Sequence, residues 1–132
     1  MTAPERQKPQ VAAVIAAYRR DAELARLLRA LEEGPTKPAR AFVADNAASE
    51  ATREVCRLHG AEWIPLADNR GPGPAWNAAL RAALSDRSLT HCLVLDDDVV
   101  PPAEALSTLV EVMTSTGSGA VAPLLYDEKG ML

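Results

Sequence analysis

Large rings are scarce in this sequence, with two Trp, two Tyr and one Phe among 132 residues. Its core must therefore be made of Leu, Val and Ala, and the apolar fraction of 48% is enough to build one. Basic charge is also short. A formal net charge of −4 and a pI near 5.2 exclude the positive face that nucleic acids require. They do not exclude an anionic small molecule held through a metal. Cysteine appears only at positions 56 and 92, without metal-ligand spacing, and reads as small apolar filler in a reducing compartment. No apolar run approaches the ~20 residues of a membrane span. "MTAPERQKPQ" at the start has no signal-peptide core. A cytoplasmic protein is expected, with peripheral membrane contact left open.

What is present is an alternation. "VAAVIAA" (11–17) is a continuous apolar run and reads as a buried parallel strand. Asp21 then offers an N-cap, and Leu24, Leu27, Leu28 and Leu31 repeat at helical spacing up to Gly34 and Pro35. "RAFVAD" (40–45) is a second strand, Ser49 caps a helix running to His59, and "AEWIPL" (61–66) is a third strand containing Pro65. "GPGPAWNAALRAAL" becomes helical, with Trp76, Leu80 and Leu84 expected on the packed side. "HCLVLD" (91–96) is a fourth strand, a helix through Leu106, Leu109, Val110 and Met113 follows, and "GAVAPLLY" (119–126) reads as a fifth strand. Such alternation predicts an α/β fold: an open, mostly parallel, Rossmann-like sheet with helices on both faces. Residues 1–9 are expected to be a flexible tail before one domain over 10–132.

Ligands of open α/β sheets bind beyond the carboxyl ends of the strands, and the polar residues gather there. The strands end in "YRRD", "DNAAS", "DNRGPGPAWN" and "DDD". Taken singly, most of these have plain explanations: Asp45 and Asn46 as an Asx turn, "GPG" as a strand-to-helix turn, Arg19 and Arg20 as solvated charges. His59 and His91 are isolated and read as structural. The triplet Asp96–Asp98 resists such a reading, because three adjacent carboxylates directly after "CLVL" repel one another in a partly desolvated place. A divalent cation removes that cost, and Mn²⁺ or Mg²⁺ takes oxygen ligands. If the strand geometry persists, Asp96 and Asp98 share a face and Asp97 does not.

Four of these segments, in this order, resemble the nucleotide-sugar-binding half of GT-A glycosyltransferases of family 2. "AAYRR" is similar to that family's first turn, with Ala in place of the usual Pro. "VADNAASEAT" is similar to its Val-Asp-Asn-x-Ser segment, "NRGPGPAWNAAL" to its Asn-x-Gly-x-x-x-Ala-x-Asn-x-Gly-Leu segment, and "LDDD" to its Asp-x-Asp motif. The resemblance implies inverting transfer of a sugar from a nucleoside diphosphate donor, a UDP- or dTDP-sugar, to an acceptor hydroxyl. It implies that Ala17, Tyr18 and Arg19 line the nucleotide pocket and that Asp45 accepts from the base. Asn69, Gly71 and Gly73 would pass close to the nucleoside, with Asn77 in support. Asp96 and Asp97 would face the donor, while Asp96 and Asp98 would hold Mn²⁺ or Mg²⁺. The family's acceptor site and catalytic base follow the Asp-x-Asp strand. Only 34 residues follow Asp98 here, and neither Asp127 nor Glu128 matches a base motif. A C-terminally truncated half-enzyme is therefore expected, with its base outside the chain. The alternative is a non-catalytic nucleotide-sugar-binding or assembly module, whose open sheet could pair with a second copy. A nucleotidyltransferase ranks lower because "AAYRRD" has no glycine. A dinucleotide-binding oxidoreductase ranks lower still, because "GPGPAW" follows the third strand and lacks the fingerprint's third Gly.

Overall fold

The computed structural model describes residues 7–127 and 129–131. Four strands, β1 (Val11–Ala17), β2 (Arg40–Asp45), β3 (Glu62–Pro65) and β4 (His91–Asp96), alternate with four helices. These are α1 (Asp21–Glu33), α2 (Glu50–Leu58), α3 (Pro72–Leu84) and α4 (Ala105–Thr116). All pairings are parallel and the strand order is β3-β2-β1-β4. The expected open parallel sheet is what forms. Most of the anticipated 1–9 tail, and Glu128, fall outside the described residues.

β1 lies between two neighbours and under helices on both sides, so all seven of its residues are buried. That is why its sequence is apolar without alternation. Ala13, Ile15 and Ala17 pack with the four leucines of α1 and with Cys56 of α2. Ala12, Val14 and Ala16 pack against α3 on the opposite face. Each α1 leucine, at 6% exposure or less, contributes about 2 kcal/mol of apolar burial. α2 begins as expected, with Ser49 Oγ accepting from the Thr52 backbone N–H at 3.1 Å.

Three expectations are corrected. Asp21 does not cap α1. Arg20 holds the capping position without a side-chain cap bond, and Asp21, already inside the helix, accepts from Thr52 Oγ1 of α2 at 2.9 Å. The packed side of α3 is Ala75, Ala79 and Ala83, while Leu84 is 73% exposed and Trp76 and Leu80 only flank the contact. A helix lying this close over β1 and β2 has room beneath it for methyl groups only. Finally, residues 119–126 join no sheet. An apolar run becomes a strand only where a neighbour takes its backbone hydrogen bonds, and Pro123 removes one donor from this one. β4 is therefore an outer strand, with Cys92 and Val94 exposed on its α3 side.

The alanine face of α3 leads to a clear expectation. Ala79→Leu overpacks the contact and lowers stability by about 1–3 kcal/mol. Leu84→Ala changes it by less than about 0.5 kcal/mol. Urea unfolding midpoints of the two variants check this.

Candidate functional site

The ends of all four strands converge on one rim. β1 runs into Tyr18, where the chain turns sharply, with Arg19 in the left-handed region at φ +54°. A non-glycine residue there is uncommon, and the turn aims the Tyr18 backbone N–H across the rim at Asp97 Oδ2, 2.9 Å away. The Arg19 guanidinium stacks over the Tyr18 ring, 5.1 Å from its centroid. Arg20 reaches the acid triplet instead. Its Nη1 lies 3.3 Å from Asp97 Oδ1 and 2.9 Å from Asp98 Oδ2.

The triplet is thus compensated partly from within the chain. Asp97 is 4% exposed. Burial pushes its carboxyl upward, against the Tyr18 N–H and the Arg20 guanidinium, which favour the ionised form. Arg20 is in turn pushed up, first by its hydrogen bond to Asp97 and then by the charges of Asp97 and Asp98. The alternation expected of Asp96 and Asp98 does not extend this far. Extended backbone stops at Asp96, and Asp97 and Asp98 sit in a turn. It is Asp97 and Asp98 that present one oxygen each to a single point, and Arg20 Nη1 occupies it. Two hard oxygen donors facing one point fit Mg²⁺ or Mn²⁺, which use one or two carboxylates and complete their shell with phosphate and water. Among the described residues, no three His, Cys, Asp or Glu side chains group closely enough to cage a metal.

The rim encloses a cleft of about 540 Å³. Of the residues singled out from sequence, Ala17, Tyr18 and Arg19 line it from the first strand, and Asn69 and Gly71 from the loop before α3. Asp96, Asp97 and Asp98 line it from the fourth. Gly71, at φ +86°, uses a conformation open to glycine as it enters α3, and Asn69 Oδ1 accepts from its backbone N–H at 3.0 Å. Gly73 and Asn77 are exposed in α3 and outside this lining.

Asp45 is also set apart. It is 0% exposed and its carboxylate accepts from the backbone N–H groups of Ala47 (2.9 Å) and Ser49 (2.8 Å) and from Trp63 Nε1 (3.1 Å). The next residue, Asn46, lines the cleft. Its Nδ2 donates to the Gly71 carbonyl at 3.1 Å, which fixes the amide orientation, and its buried Oδ1 has no partner. Sequence reasoning passed over Arg20 and Asn46. Each adjoins a residue that it did select, so the signal lay in the segments and not in the residue types. Cys56 offers no nucleophile, because burial and the Asp45 charge push its thiol up to about 12.

The profile of Glycosyl transferase family 2 matches residues 12–132. The chain belongs to this family. Its fold matches the N-terminal half of the GT-A architecture, and solved structures agree. The crystal structure of S. aureus TarS 1-349 superposes with a TM-score of 0.69 at 17% identity, covering 87% of this chain and 38% of that one. The crystal structure of S. aureus TarS gives 0.67 at 17%, covering 90% and 24%. The chain therefore spans less than half of either structure. No curated protein matches in sequence. Among the described residues no helix is long and apolar enough to cross a membrane.

Loss of the Asp45 carboxylate strands three partly buried donors. Asp45→Ala should lower stability by about 3 kcal/mol or more, and Trp63→Phe by about 1–2 kcal/mol. Denaturant unfolding measures both, and a neutral Asp45→Ala would show that the turn finds other acceptors.

Proposed function

We propose that the cleft binds the nucleoside diphosphate part of a UDP- or dTDP-sugar, and that the protein transfers the sugar to an acceptor hydroxyl with inversion. The observation that carries this reading is the meeting of the acid triplet with the Tyr18–Arg20 turn and the Asn69–Gly71 loop across one cleft. Family 2 membership supports glycosyl transfer as the reaction class.

In this reading Tyr18 and Arg19 flank the nucleotide, and the Gly71 backbone lets the nucleoside approach closely. Asp45 acts chiefly through the turn that it holds, since it is fully buried and stands outside the cleft lining. Asn46, at the cleft with an unpaired oxygen, is the better placed acceptor for a base N–H. Asp97 and Asp98, with Asp96 beside them, hold Mn²⁺ or Mg²⁺. The cation, when bound, neutralises charge on the departing diphosphate. Without it, a protein of net charge −4 repels that group. Sugar transfer is proposed for the full-length protein, donor binding for this chain.

Calorimetry tests the reading. UDP should bind in Mn²⁺ and lose at least roughly tenfold in affinity, about 1.4 kcal/mol, when EDTA is added. Asp98→Ala should bind UDP weakly and equally in both buffers. Equal wild-type affinities with and without EDTA would remove the metal, and failure to bind either UDP or dTDP would remove the donor site.

A further inference from the structure

The geometry points to Arg20 as a built-in counter-cation: it occupies the point at which Asp97 and Asp98 would hold a divalent ion, and it yields that point more readily when a diphosphate arrives to receive its guanidinium. This rests on the reading of the cleft as a donor site, and adds to it an exchange of partners at one side chain.

Both carboxylates bond the same nitrogen, so the guanidinium sits between them and not beside one of them. Asp97, nearly fully buried, cannot be left ionised without compensation. An ionised Asp97 therefore needs a positive charge at this point, from Arg20 or from a divalent ion. A guanidinium and a divalent ion cannot share it, because like charges a few ångströms apart repel strongly. Arg20 is also able to leave. Its side chain is 53% exposed, and its Asp98 partner is 47% exposed. Arg19 is not an equivalent substitute, being stacked on the Tyr18 ring. A diphosphate entering the same cleft gives the displaced guanidinium a partner of matched geometry, since its fork binds phosphate oxygens in pairs. Metal and donor are then linked: the ion displaces Arg20 poorly alone and readily in the presence of the diphosphate.

The linkage predicts effects of opposite sign from a single substitution. In the full chain, Arg20→Ala should tighten Mn²⁺ binding in the absence of nucleotide by roughly two- to fivefold, the upper part of the range for a half-exposed pair. Loss of the free-Mn²⁺ electron paramagnetic resonance signal reads this directly. The same variant should weaken UDP binding at saturating Mn²⁺ by a similar factor, read by calorimetry. Arg20→Gln, which keeps a polar side chain and removes the charge, should follow Arg20→Ala in both measurements. Arg29→Ala makes the same change in net charge from an exposed site on α1 outside the cleft lining, and should alter neither. If wild type binds UDP and Mn²⁺ affinity does not rise in the Arg20 variants, or falls together with UDP affinity, the exchange is wrong while the donor site stands. If neither wild type nor variant binds UDP at any Mn²⁺ concentration, the donor site itself is wrong and the exchange falls with it.

Discussion

A single buried carboxylate joins the ends of the two strands on which the site is built. Asp97 follows β4 and accepts the Tyr18 N–H that follows β1. These strands are neighbours in perfect register from Val11 and His91 to Ala16 and Asp96. Where their ladder stops, backbone pairing gives way to a side chain that performs the same task. Water cannot do so at 4% exposure. The bond fixes the turn at Tyr18–Arg20, and the turn in turn fixes where Arg20 and Arg19 point. The rim is therefore organised by one acid that the ladder itself could not replace.

Much of this was legible in the sequence, for identifiable reasons. β1 could be read because a strand covered on both faces must be apolar at every position. α1 could be read because four leucines at helical spacing have no other common use. The rim could be read because parallel strands all end at the same side. Contacts between segments distant in sequence were not legible. Nothing local tells Arg20 that it will meet Asp97 and Asp98, 77 and 78 residues away. Nor does local pattern say which side of α3 packs, since Ala79 and Leu80 are both acceptable helix residues and only the closeness of the sheet selects the smaller. The run 119–126 failed for a related reason: a strand depends on a neighbour, and apolar composition does not supply one. The triplet was singled out for its mutual repulsion, and the structure sets the guanidinium of Arg20 against two of its three carboxylates.

The outer side of β4 has the opposite character to β1. Val94, Val99, Val100 and Val112 are exposed on or near it, and they border an apolar trough between α1, β4 and α4. Such an edge leaves ladder groups unpaired beside greasy surface, a combination that favours association. The acid-rich rim and this edge adjoin, so the cleft has one well-built wall, formed by the turn after β1, and one wall that the described residues leave open.

Both tryptophans of the chain are anchored at this rim. Trp63 Nε1 donates to Asp45 at the end of β2, and Trp76 Nε1 donates to the Leu95 carbonyl, one residue ahead of the acid triplet. A protein this poor in rings has no third indole to mask them. Its tryptophan emission consequently originates from the ends of β2 and β4, and single Trp→Phe replacements would separate one end from the other.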